Sequence, residues 1–202
     1  MGAGVTTMNQ TATSDRSADV IAQLRAATQR LQSLEAQAPV ISAAADLLVR
    51  CFRSGGKVIF CGNGGSAADS QHLAAEFMGR YLRDRAPLPS LALTVDTSAL
   101  TAIGNDYGYE QVFSRQLRGI GRRGDVLVGI STSGNSGNVL HAFQVAREIG
   151  VATLAMTGEG GGKLAELGDL AIRVPSRQTN EIQEMHIVVG HMLCGYVEAE
   201  VC

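Results

Sequence analysis

Five short apolar runs, separated by stretches of helical periodicity, constrain the fold of this chain more than any other feature. They are "KVIFC", "LALTV", "DVLVGIS", "VATLAMT" and "LAIRVP", beginning at Lys57, Leu91, Asp125, Val151 and Leu170. The helical runs between them are Ala67–Arg83, a segment near Leu100, "NVLHAFQVAREIG" and "KLAELG". Strands that alternate with helices are joined by crossovers, which build a parallel sheet covered on both faces. The expected fold is α/β: a doubly wound, flavodoxin-like sheet of five parallel strands with right-handed crossovers.

Two further helices precede the first strand. Val20, Ile21, Leu24, Ala27, Leu31 and Leu34 recur at helical spacing, with Asp15 or Ser17 as the expected cap. Pro39 interrupts, and "VISAAADLLVRCF" resumes the pattern. The last run, "TNEIQEMHIVVGHMLCGYVEAEV", is apolar on most sides, which marks a helix buried in a core or between subunits. The N- and C-terminal helices are therefore expected to form a bundle between subunits. At 202 residues one domain is expected, spanning 17–202 after a disordered tail of 1–16. The tail holds "MGAGVT", which fits the bare myristoylation pattern but has no supporting context.

Charge and hydropathy narrow the function classes. A net charge of −2 without a long basic run argues against a broad nucleic-acid footprint. No apolar run is long enough for a bilayer, so no membrane partner is expected. The N-terminus lacks a charged-then-apolar export layout. Cys51, Cys61, Cys194 and Cys202 lack metal-ligand spacing and read as reduced thiols. A cytoplasmic protein is expected.

In this strand order the loops after the first and third strands flank the topological switch point, where ligands bind. The first loop, "CGNGGSA", fits G-x-G-x-x-A with Gly62, Gly64 and Ala67, so a dinucleotide site is one alternative. Its expected acid is missing at about 20 residues on; the nearest at a strand end is Asp96. The second loop, "STSGNS", puts the hydroxyls of Ser131, Thr132, Ser133 and Ser136 at a helix start. Hydroxyls and free N–H groups there make an anion site without lysine. The plainer alternative is a serine-rich turn with one capping serine.

His72 and Glu76 stand four apart and share a helix face, as surface ion pairs also do. Gln183, His186 and His191 interrupt the apolar last helix. A lone histidine there is most often a satisfied core residue. Gln183 and His191 face roughly the same way but are separated by about 12 Å of helical rise. They converge on one ion only if both side chains lean inward. With His72 and Glu76 they would make a donor set suited to Zn²⁺, the amide being the unusual member.

"CGNGGSAADSQHLAAEF", "LTAIGNDYGYEQVFSRQ", "GDVLVGISTSGNSGNV", "MTGEGGGKLAE" and "VPSRQTNEIQEMHIVVGH" together resemble the sugar isomerase (SIS) domain family and, within it, the phosphoheptose isomerases. The resemblance runs from about Lys57 to the C-terminus. It implies conversion of sedoheptulose 7-phosphate to D-glycero-D-manno-heptose 7-phosphate, the first step towards heptose units of bacterial surface polysaccharides. It also implies a homotetramer with active sites at subunit interfaces and one Zn²⁺ per site. Ser66, Ser131, Thr132, Ser133 and Ser136 would hold the phosphate. Asn63, Gly64, Gly65, Asn105, Asp106 and Gln183 would contact the sugar. His72, Glu76, Gln183 and His191 would bind the metal, with Glu76 as catalytic base and His191 as catalytic acid. A non-catalytic relative that binds the replication initiator keeps "GNGGSAA" but lacks the counterparts of Glu76, Ser133 and His191, all present here. A sugar-phosphate-sensing module is the remaining alternative, and it normally carries an attached regulatory domain.

Overall fold

The computed structural model describes residues 11–202, with side chains from Arg16 onward. In chain order the elements are α1 (Thr11–Ser33), α2 (Ala38–Arg53), β1 (Val58–Gly62), α3 (Gly65–Met78), β2 (Ser90–Ala92), α4 (Thr97–Tyr107), α5 (Val112–Ile120), β3 (Val126–Ile130), α6 (Gly137–Ile149), β4 (Ala152–Thr157), α7 (Gly162–Leu167), β5 (Leu170–Arg173) and α8 (Thr179–Val201). The sheet is parallel throughout with order β2-β1-β3-β4-β5, as the alternation of runs predicts.

Both faces of the sheet are covered. In β1, Val58 and Phe60 join a core with α2, α3 and α8, while Ile59 and Cys61 join a second core with α5 and α6. This two-residue alternation explains why β1 and β3 are apolar at every position and read as continuous runs.

Two boundaries and one further helix differ from the sequence reading. Helix α1 begins at Thr11, inside the stretch expected to be a tail. Residues 1–10, with the acylation pattern, lie outside the described residues. Helix α5 was not anticipated. Helix α3 stops at Met78 instead of running on to Arg83, and a buried ion pair explains this. The Glu198 carboxylate accepts the backbone N–H groups of Tyr81, Leu82 and Arg83, which a longer helix would have turned inward. Arg85 bonds Glu198 and donates to the carbonyls of Glu76, Phe77 and Gly79, the orphan acceptors at the end of α3.

Helices α3 and α8 run side by side in the same direction. Gly65 meets Gln183, His72 meets His191 and Leu73 meets Gly190, so contacts advance together along both. The approach is close because two glycines permit it. A Cβ on Gly65 would lie 2.5 Å from Gln183 Nε2, and one on Gly190 would lie 2.6 Å from Leu73 Cδ1. Among the described residues, no helix is long and apolar enough to cross a membrane.

Candidate active site at the switch point

The loops after β1 and β3 lie side by side because those strands are neighbours. Asn63, at the end of β1, and Asn138, in the first turn of α6, exchange amide hydrogen bonds of 2.8 and 2.9 Å. Tyr109 donates its hydroxyl to Asn63 Oδ1 at 3.2 Å and ties in the segment between α4 and α5.

The hydroxyl-rich loop is not a simple serine cap. Ser136 holds the N-cap position of α6 yet makes no side-chain cap bond. Its hydroxyl instead lies 2.9 Å from that of Ser131. Ser133 Oγ accepts the Asn135 N–H at 3.1 Å, and the Thr132 carbonyl accepts the N–H of Gly158. The loop is thus braced from the end of β4, and the Glu110 carboxylate lies against Gly137 at the start of α6, where the helix end favours negative charge. Ser66 is buried in the first turn of α3, across the crevice.

The dinucleotide alternative loses its acid here. Asp96 accepts the Ala99 N–H at 2.9 Å and caps α4, so its carboxylate is used locally. Asn105 and Asp106 are exposed near the end of α4 and hydrogen-bond to each other.

The third part lies on the α3–α8 pair. His72 Nε2 stands 2.9 Å from His191 Nε2 and 3.4 Å from Glu76 Oε1. One donor atom from each of His72, Glu76 and His191 falls within 4.8 Å of the others. Adjacent ligands on a tetrahedral ion with bonds of about 2.0–2.1 Å stand roughly 3.3 Å apart. Two imidazole nitrogens and a carboxylate oxygen at this spacing fit a divalent transition metal. Gln183, expected as a fourth ligand, packs its amide against Gly65, about two helical turns before His72 along α3.

One residue escaped the sequence reading, and a second differs from it. Asp69 lies on the face of α3 shared by Gly65, His72 and Glu76, and the spacing 65, 69, 72, 76 could have revealed it. Its Oδ2 is buried without a partner. Burial raises its carboxyl above the ordinary value, partly opposed by His72. His186 is the core histidine that was expected, but it is poorly satisfied. It is fully buried and neither ring nitrogen makes a hydrogen bond of good geometry, the Thr157 backbone being its polar neighbour. Burial pushes it down to about 4, and the nearby Thr157 backbone offsets this only in part.

Comparison with known proteins agrees with this architecture. A family model described as "SIS domain" matches residues 23–158. The phosphoheptose isomerase of Rhodospirillum rubrum is 64% identical over 165 residues, covering 82% of this chain and 88% of the relative. The solved phosphoheptose isomerase of Neisseria gonorrhoeae is 46% identical with a TM-score of 0.82, covering 92% of this chain and 98% of that one. The corresponding structure from Francisella tularensis is 36% identical with a TM-score of 0.85, covering 90% and 97%.

Proposed function

The chain belongs to the SIS domain family, and on that premise we propose that it is a phosphoheptose isomerase, interconverting sedoheptulose 7-phosphate and D-glycero-D-manno-heptose 7-phosphate. The observation that carries this reading is the His72, Glu76 and His191 cluster, set along α3 from a braced hydroxyl loop. A ketose becomes an aldose when a proton leaves C1, an enediol forms, and a proton returns at C2. Glu76 is the group that takes and returns the carbon-bound proton. His191 moves the proton between the two oxygens. Ser66, Ser131, Thr132, Ser133 and Ser136 hold the phosphate, and the positive end of α6 favours its charge. Asn63, Gly64, Gly65, Asn105, Asp106 and Gln183 contact the sugar hydroxyls and fix which carbon meets Glu76.

His72, Glu76 and His191 would hold one Zn²⁺, with Gln183 as the fourth ligand. When bound, the ion supplies Lewis-acid stabilisation of the negative charge that develops on the sugar oxygens. Glu76 has two oxygens. Oε1 faces His72, which would leave Oε2 to handle the proton.

The test is turnover of sedoheptulose 7-phosphate by the purified protein, with its metal content measured in parallel. Chelation should abolish activity reversibly and Zn²⁺ should restore it. A metal-free protein that retains full activity would remove the ion from this account. A folded, metal-loaded protein without turnover would remove the isomerase reading itself.

A further inference from the structure

The His191 ring has no hydrogen bond at Nδ1 among the described residues; its interactions are the approach to His72 and two ring contacts. Histidines in metal sites are normally oriented by an N–H bond from the nitrogen that does not face the ion. Here a ring takes that place. Tyr81 stacks on His191 with centroids 5.6 Å apart and planes 21° from parallel. The ring also lies over Gly195, one turn beyond His191, where a Cβ would sit in ordinary contact with Tyr81 Cε1 at 3.5 Å.

What holds Tyr81 in place is the ion pair that ends α3. Three successive N–H groups, those of Tyr81, Leu82 and Arg83, converge on Glu198 at 3.1, 2.9 and 3.0 Å. Such a run of N–H groups is a concave anion cradle. Arg85 closes it at 3.1 Å, and the Arg85 and Glu198 side chains are only 4% and 3% exposed. The same guanidinium donates to the Glu76 carbonyl at 2.8 Å. One buried pair therefore fixes the backbone of Glu76 and the backbone that carries the ring against His191.

We propose that Tyr81 is a positioning residue for the His191 imidazole, acting through its ring face, with the Arg85–Glu198 pair as its anchor. The inference rests on the metal-dependent isomerase reading above. The stack restricts rotation of the His191 ring so that Nε2 stays turned towards His72 and Glu76. The hydroxyl of Tyr81 has no part in this role.

The experiment uses Co²⁺ alone as the probe, followed by its visible spectrum without sugar phosphate, beside steady-state kinetics. Tyr81→Phe keeps the ring and should retain Co²⁺ affinity and kcat. Tyr81→Leu fills the space without a ring. It should weaken Co²⁺ binding by about 10–100-fold, the usual effect of losing an outer-shell partner, and lower kcat with little change in KM. Glu198→Gln should alter the cobalt spectrum in the same sense, by freeing the segment that carries Tyr81. Thermal melts accompany each variant, and should Tyr81→Leu fail to fold, Tyr81→Met is read in its place. Wild-type Co²⁺ affinity and kcat in the ring-less variant would overturn the proposal. Loss of affinity in Tyr81→Phe would overturn it too, because the hydroxyl would then be the active part. A wild-type protein that binds no Co²⁺ at His72 and His191 would overturn the metal reading and this inference with it. Equal binding by wild type and Tyr81→Leu would sink the stacking role alone.

Discussion

At the scale of single residues, the site divides into what local spacing reveals and what only the fold reveals. Ser131, Thr132, Ser133 and Ser136 are legible because four hydroxyls at a strand-to-helix junction are unusual, as are His72 and Glu76 because four residues span one helical turn. Nothing local relates His72 to His191, which are 119 residues apart, or Tyr81 to Glu198, which are 117 apart. Those pairings follow from the parallel packing of two helices, which periodicity alone does not specify. Glu76→Gln is nearly isosteric and should lower kcat by about 10²–10⁴-fold while keeping the melting temperature; turnover near that of the native protein would exclude Glu76 as the base. His186 bears on stability instead. Its folded-state value is about 4 against an ordinary 6.5, so below about pH 6.5 the unfolded chain takes up a proton that the folded chain refuses. Stability is fully present above about 6.5 and falls towards about 4, by roughly 2–4 kcal/mol in all. His186→Leu removes a buried, poorly satisfied imidazole and should flatten that limb. Denaturant titrations at pH 7.5 and pH 5 check it, and an equal acid loss in both proteins would exclude His186 as the cause.

Among the elements, the strands were the most legible and the end of α3 the least. Apolar runs locate β1 and β3 because both faces of those strands are buried. The run Ala67–Arg83 looks helical throughout, and tertiary contacts override that propensity after Met78. Glu198 is responsible. Burial alone would raise its carboxyl, but the N–H groups of Leu82, Tyr81 and Arg83 and the Arg85 guanidinium outweigh this and hold it below the ordinary 4.5. The stability it contributes is present above about pH 4.5 and is lost as pH falls through the lower folded-state value. That window begins at about 4.5, near the acid end of the one assigned to His186, and the His186→Leu variant separates the two. Glu198→Gln leaves Arg85 buried without its counter-charge and should cost about 3–5 kcal/mol at neutral pH. The loss relative to wild type should shrink on acidification below pH 4. A constant difference across that range would show that the charge of Glu198 is not what matters.

For the whole molecule, the unpartnered surface is the informative part. Val20, Ile21, Leu24 and Leu31 of α1 and Met192 and Tyr196 of α8 are exposed. Leu31, Met192 and Tyr196 also line an apolar groove of about 500 Å³ bounded by α2. Apolar surface gathered in this way marks an interface. The expected assembly is a tetramer joined through these helices, with Met192 adjacent in sequence to His191, so activity should fall with dilution below the assembly constant. Sedimentation velocity across that range checks it, and a fully active monomer would contradict it. The parallel packing of α3 and α8 also sets an order in time. A ribosome adding about 5–20 residues per second needs roughly 6–24 s to pass from His72 to His191. Through that interval the nascent chain carries His72 and Glu76 without the second imidazole, even after β1, β3 and the hydroxyl-rich loop have been made. The three-residue donor cluster is therefore complete only in a chain translated through α8, and if it holds an ion, metal uptake would act as a clock for the docking of the last helix.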